Sequence, residues 1–310
     1  MSFVPIIDYS LLTSGTPNER SKVIQQLGNA CKDWGCYMLV NHGIPETLIK
    51  EIMDVSDEFF NLPKEEKLEF EAFGVFDPIR FSSGFNAVEQ NKDTLWREVL
   101  RLIAHPDFHC PHKPSGFSEI ASDYVKRTQV IVNELLKGVS ESLGFEASYM
   151  NKELNLDSSF RLLAVNCYPF LPDFDLARGL MPHTDHGVFT LLYENDVPGL
   201  EVFHNGKWVV MSGVPNAFLV LSADHLEIFS NGVYKSKLHR AVVKDECKRI
   251  TLVNTNGPSL DTVVGPSPRL VDEQDRPAGY LPMKYGEYLE LQTKLTTAGK
   301  HAFDIVRIQN

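Results

Sequence analysis

From about residue 158 to residue 265 the chain is a succession of short runs rich in Val, Leu, Phe and Thr. No helical pattern between them is long enough to carry a strand across to a parallel neighbour. That feature excludes a doubly wound parallel sheet and leaves an antiparallel sandwich or jelly roll. The punctuation agrees, since "HNGK" and "SNGV" contain Asn-Gly pairs, which favour tight hairpin turns.

The first half has a different texture. Val23, Ile24, Leu27, Ala30, Cys31 and Trp34 recur at helical spacing behind Thr16 and Pro17, which suit a cap and a first helical position. "CYMLVNHGIP" reads as a buried strand closed by a turn, and "ETLIKEIMDVSDEFF" as a second helix. Residues 118–143 form a long helical pattern, and "KYGEYLELQTKL" a last helix packed on the outside. The expected fold is mainly β with flanking helices. Its parts are a helical and β amino-terminal region (1–115), a long helix and connection (116–157), a jelly-roll core (158–265) and a carboxy-terminal tail and helix (266–310). All four are expected in one compact body.

Composition narrows the partners. A chain of 310 residues with 43% hydrophobic and 23% charged residues is a packed globule, neither disordered nor fibrous. A net charge of -11 opposes capture of nucleic acid or of an anionic membrane. No stretch approaches the roughly 20 apolar residues that cross a bilayer, and "MSFVPIIDYS" lacks the basic and apolar regions of a leader. Five scattered cysteines suit reduced thiols better than a disulfide framework. A cytoplasmic monomer acting on a small molecule is the expectation.

The chemistry-bearing stretch is "MPHTDHGVFTLLYENDVPGLEVF". Residues two apart on a strand share a face, so His183 and Asp185 can point at one ion. His-x-Asp alone is weak, and a second copy occurs at His105 and Asp107. Its company strengthens the first, because His239 in "KSKLHRAVV" completes two histidines and one carboxylate. That is the facial set of non-haem Fe(II) oxygenases, which leaves three positions of an octahedron open. A zinc hydrolase can use the same residue types. Arg249 and Thr251 in "KRITLV", and Asn166 and Tyr168 in "AVNCYPF", share the two-residue spacing. A guanidinium fork with hydroxyls beside it suits a dicarboxylate, and 2-oxoglutarate is one that can also chelate iron.

In their order and spacing these elements resemble the plant-type 2-oxoglutarate and Fe(II)-dependent dioxygenases of the isopenicillin N synthase-like superfamily, which include flavonoid oxygenases and hyoscyamine hydroxylase. "WGCYMLVNHGIP" and "EFFNLPKEEK" are similar to the family's amino-terminal region, and "NCYP" to its Asn-x-Tyr-Pro element. "HTDHG" is similar to its iron motif, "SNGVYKSKLHRAV" to its second-histidine segment, and "RIT", ten residues after His239, to its Arg-x-Ser. Thr251 stands where Ser is usual, and Ala223 where Gly is common.

The resemblance implies a double-stranded β-helix, a distorted jelly roll. It implies iron ligation by His183, Asp185 and His239, and 2-oxoglutarate binding by Arg249, Thr251, Tyr168 and Asn166. Dioxygen is the oxidant, ascorbate the reductant, and succinate and carbon dioxide are released. Hydroxylation of an apolar plant specialised metabolite (flavonoid, alkaloid, coumarin or hormone) is the default. Desaturation, ring closure or demethylation at the same site are alternatives, as are an oxidase that does not use 2-oxoglutarate and a catalytically silent binding protein.

Several other residues invite a role. His105, His109, Cys110 and His112 in "HPDFHCPHKP" look like a metal cluster, but their prolines favour a crossing loop. His225 and Glu227 in "DHLEIF" read as wall or surface residues of a strand, and His186 falls in the opposite strand phase from the ligands. Phe81, Phe85, Tyr280 and Phe303 are candidate pocket aromatics.

Overall fold

The computed structural model describes residues 4–85, 96–169, 178–195, 197–211, 214–242, 247–272, 274–296 and 301–308. In the amino-terminal half the strands are β1 (Ile6–Asp8), β2 (Cys36–Val40), β3 (Ile79–Phe85) and β4 (Trp96–His105). The core adds β5 (Arg161–Tyr168), β6 (Arg178–His183), β7 (Phe189–Glu194), β8 (Leu200–His204), β9 (Lys207–Met211), β10 (Phe218–Ser222), β11 (His239–Val242) and β12 (Arg249–Asn256). They form a large sheet in the order β1-β2-β10-β7-β12-β5-β4-β3 and a smaller one in the order β6-β11-β8-β9. Pairing within both is antiparallel except between β1 and β2. This is the expected jelly-roll sandwich, widened on both edges by strands from the amino-terminal half.

The helices are α1 (Tyr9–Ser14), α2 (Pro17–Asn29), α3 (Glu46–Phe60), α4 (Lys64–Leu68), α5 (Phe117–Ser142), α6 (Tyr149–Glu153), α7 (Asp224–Phe229), α8 (Tyr285–Thr296) and α9 (Ala302–Val306). A capping box starts α2. The Thr16 hydroxyl accepts the Glu19 N–H, and the Glu19 carboxylate accepts the Thr16 N–H at 2.9 Å. The apolar stripes of α2, α3 and α5 pack over one face of the large sheet. Leu27, Ile52, Phe59, Tyr124 and Leu135 are buried in one core with Leu100, Val165 and Leu252, each side chain contributing roughly 1.5–3 kcal/mol.

Strand alternation turns the neighbouring residues toward the small sheet. Met38, Leu192, Leu219 and Leu221 fill one end of the interior against Leu200, Val202 and Met211. Ile103, Phe160 and Leu162 pack with Tyr285 and Leu289 of α8 in a separate cluster. The same face of β4, β5 and β12 carries Arg97, Arg101, Asn166, Arg249 and Thr251, as their cross-strand register requires. A polar chamber inside the sandwich is where chemistry can be housed.

Two sequence expectations change here. "HNGK" is the β8–β9 hairpin, with Asn205 and Gly206 at φ 48 and 77. "SNGV" is not a hairpin: "DHLEIF" before it is helical, and Asn231 and Gly232, at φ 49 and 76, turn the chain out of that helix. Six residues are too few for helical and strand periods to be told apart. His225 and Glu227 therefore lie fully buried on α7.

Candidate active site

His239 on β11 lies directly opposite His183 on β6, so the two imidazoles face each other with ring centroids 4.2 Å apart. Asp185 follows two residues after His183, where β6 has ended. Its Oδ1 lies 3.6 Å from Nε2 of each histidine. One donor atom from each of the three lies within 4.8 Å of the others. Each histidine is held by its other nitrogen, His183 Nδ1 donating to the Met181 carbonyl at 2.8 Å and His239 Nδ1 to that of Lys237 at 2.9 Å. A carbonyl can only accept, so the protons sit on Nδ1 and the Nε2 lone pairs face inward.

The electrostatics fit a cation. Burial, and then the neighbouring His239, push the His183 pKa down to about 4, keeping that imidazole neutral. Burial alone would raise Asp185, but His239 and His183 outweigh it and hold the carboxyl below its usual range. Asp185 Oδ2 is buried with no hydrogen-bond partner among the described residues, an open lone pair that a metal would satisfy. Two neutral nitrogens and one carboxylate make a donor set suited to Fe(II).

Beside this centre, β12 and β5 pair Arg249 with Tyr168 and Thr251 with Asn166. Asn166 Nδ2 donates to Thr251 Oγ1 at 3.0 Å, and the Arg249 guanidinium carbon lies 5.2 Å from the Tyr168 ring centroid. Arg249 already has partners, its Nη2 donating to Glu194 Oε2 at 2.5 Å and its Nε to the Val197 carbonyl at 3.2 Å. Burial raises the Glu194 pKa against the opposing pull of Arg249. Gly199 makes room for the arginine, because a Cβ there would sit 2.7 Å from Arg249 Nε.

Sequence reasoning missed the layer behind the ligands. Asp224 at the start of α7 donates its N–H to the Asp185 carbonyl at 2.9 Å, and His225 donates its own to that of Gly187 at 2.8 Å. The Asp224 carboxyl accepts from Ser236 Oγ and from the Tyr288 hydroxyl, both at 2.6 Å. His186 leaves the metal site as its strand phase implied and bonds the Tyr285 hydroxyl at 2.9 Å. The signal for this layer was polar residues inside the otherwise apolar "ADHLEIF", read in helical rather than strand phase.

Three of the four candidate pocket aromatics are structural. Phe81 is fully buried against Phe59, Tyr280 donates to Glu227 Oε1 at 2.7 Å, and Phe303 stacks on Tyr280. The side chain of Phe85 lies outside the described residues. Among the described residues, His105, His109, Cys110 and His112 gather no metal-binding group. His105 Nδ1 bonds the Ser159 carbonyl, and His112 packs against the Phe70 ring.

Two segments match known families: residues 4–119 match the amino-terminal region of non-haem dioxygenases in morphine synthesis, and residues 159–258 the 2OG-Fe(II) oxygenase superfamily. The chain is 42% identical to 2-oxoglutarate-dependent dioxygenase 19 of Oryza sativa subsp. japonica, over 99% of this chain and 91% of that one. It belongs to the 2-oxoglutarate/Fe(II)-dependent dioxygenases. Flavanone 3-dioxygenase 2 of the same species is 34% identical over 98% of this chain and 87% of its own length. Among solved structures, JOX2 in complex with 2OG, Fe and JA superposes with a TM-score of 0.86 at 26% identity, covering 99% of this chain and 89% of that one. As a dioxygenase of this family the chain is an oxidoreductase, and among its described residues no helix is long and apolar enough to cross a membrane.

Proposed function

We propose that His183, Asp185 and His239 hold the family's Fe(II), and that Arg249, Thr251, Tyr168 and Asn166 hold 2-oxoglutarate. The reaction is oxidation, by hydroxylation, of a small plant metabolite with an apolar body. The observation that carries this reading is the convergence of two inward Nε2 lone pairs and the Asp185 carboxylate, one oxygen of which is buried without a hydrogen bond. The relation to a flavanone dioxygenase supports a specialised metabolite as substrate. Ascorbate as reductant, a monomeric state and a cytoplasmic location complete the proposal, the last in keeping with five free thiols.

Bound iron and 2-oxoglutarate supply dioxygen-dependent oxidative decarboxylation, which releases succinate and carbon dioxide and oxidises the substrate. The chain's part is to orient and to exclude water. The carbonyls of Met181 and Lys237 fix the imidazole tautomers, α7 holds the Asp185 main chain, and Arg249 binds the distal carboxylate while Thr251 and Tyr168 offer hydroxyls to it. The two sheets enclose the site, so geometry in the chamber selects the bond attacked.

Asp185→Ala should lower substrate-dependent succinate formation by at least 100-fold, whereas Arg249→Ala should act mainly through a raised KM for 2-oxoglutarate. The Arg249 loss corresponds to about 1.5–3 kcal/mol for a charge-assisted bond. An unchanged succinate yield from the Asp185 variant would remove its assigned role.

A further inference from the structure

Three arginines stand on the inner face of the large sheet, and of them only Arg97 touches a residue assigned above, Asn166. Arg80 on β3 is the direct cross-strand partner of Arg101 on β4, and Arg97 stands two pairs further along the same face of β4. Opposed residues of an antiparallel pair have Cβ atoms about 4.5–5.5 Å apart, where like charges destabilise the sheet. Among the described residues neither Arg80 nor Arg101 makes a hydrogen bond or ion pair, and Arg97 donates only to the neutral amide of Asn166, at 3.1 Å. Burial first, then Arg97 and Arg80, push Arg101 down to about 9.

Two of the acids nearby are committed elsewhere: Glu194 is bonded to Arg249, and Glu98 lies on the opposite face of β4 with Lys67. Asp77 accepts the Gly74 N–H at 2.6 Å and acts on Arg80 only through its charge, without an ion pair among the described residues. Asp185 belongs to the metal centre. Nor does the cosubstrate balance the cluster. The charges of Fe(II), Asp185, Glu194, Arg249 and dianionic 2-oxoglutarate sum to -1, so with Asp77 the three guanidiniums still leave one positive charge over. They border the metal centre: β4 packs against β6, Arg97 joins the Asn166–Thr251 pair, the charges of Arg101 and Arg80 act on His186 beside Asp185, and Val99 and Ile103, both buried, flank Arg101 on its own face.

We infer that Arg80, Arg97 and Arg101 form the recognition site for a substrate carboxylate, so the molecule oxidised is a small organic acid with an apolar body. A guanidinium fork matches a carboxylate in two parallel hydrogen bonds, and Val99 and Ile103 offer the hydrocarbon a dry strip beside it. The carboxylate relieves the repulsion between Arg80 and Arg101 when it binds. This inference rests on the dioxygenase reading of the site and names its substrate class.

The test is calorimetric titration, without oxygen, of protein loaded with Mn(II) and 2-oxoglutarate. The probes are trans-cinnamate, phenylacetate, 2-naphthoate and cyclohexaneacetate, each paired with its methyl ester. At least one acid should bind tenfold or more tightly than its ester. Arg101→Gln and Arg80→Gln should each weaken that acid by tenfold or more, leave the ester unchanged and keep the 2-oxoglutarate Kd within about twofold. The ligand-free Tm of Arg101→Gln should equal or exceed that of the parent at low salt, because a repulsion has been removed.

Equal binding of acids and esters overturns the inference, as does inorganic phosphate binding as tightly as the acids. An equal loss of 2-oxoglutarate affinity in the variants also overturns it, since the arginines would then serve the cosubstrate. Failure of the parent protein to bind 2-oxoglutarate at all is a different result: it strikes the proposed function itself and is read in the first titration, before any probe is added.

Discussion

Arg249, the residue proposed to bind a carboxylate of the cosubstrate, is bonded to a carboxylate of its own chain. Glu194 therefore competes for the guanidinium, and 2-oxoglutarate must share it or displace the glutamate. Glu194→Gln should lower the Kd for 2-oxoglutarate by about tenfold, equivalent to about 1.4 kcal/mol, by calorimetry. The same variant should lower the Tm of the ligand-free protein, because it leaves a buried cation less well compensated. Unchanged or weaker 2-oxoglutarate binding would show that Glu194 orients Arg249 rather than opposing its ligand. The thiols give a second residue-scale prediction. Burial pushes Cys31, Cys36, Cys110 and Cys167 up to about 12, whereas Cys247 is exposed. Iodoacetamide at pH 8 should add a single label to the native protein by intact mass, at Cys247, and labelling of a second thiol would contradict that burial.

At the scale of elements, the legible features were those with period two. Arg249 with Thr251 and Asn166 with Tyr168 were readable because each pair shares a strand face and no intervening residue competes for it, whereas His183 and Asp185 converge although β6 ends at His183. The helix α7 was not readable, being too short to show its period, so His225 and Glu227 read as wall or surface residues of a strand. β3 was not legible as a strand, and Phe81 was read as a pocket aromatic without a strand phase to place it. Phe81 turned out to face the helices, and the cavity side of that strand carries Arg80 instead. Arg97, Val99 and Arg101 in "WREVLRL" carry a period-two signal of the same kind. Two variants test how elements position the site. Gly199→Ala should displace the Arg249 side chain and press on the Val242 carbonyl, weakening 2-oxoglutarate by tenfold or more in calorimetry. Tyr280→Phe should cost about 1.5–3 kcal/mol in urea denaturation, because buried Glu227 loses the hydroxyl bond that ties α7 to the carboxy-terminal segment. A loss under 0.5 kcal/mol would show that the Ser236 N–H and Arg307 satisfy Glu227 without it.

For the whole molecule, an antiparallel sandwich followed from the turn spacing and the absence of crossover helices. The order of strands did not follow, because long-range pairing leaves little local trace in a sequence. That β2 lies between β1 and β10, or that β3 and β4 extend the sheet beyond β5, is decided by which faces the amino-terminal helices must cover. The outcome is a polar site between the sheets, flanked by apolar packing and partly open to solvent, where a metal, a diacid and a substrate can meet. Everything proposed for this protein depends on His183, Asp185 and His239 holding one ion there. Anaerobic Fe(II) titration of the parent protein and of Asp185→Ala, each with saturating 2-oxoglutarate, tests this most directly. The parent should bind one equivalent and the variant none at the same concentrations, and an equivalent retained by the variant, or none bound by the parent, would contradict the assignment.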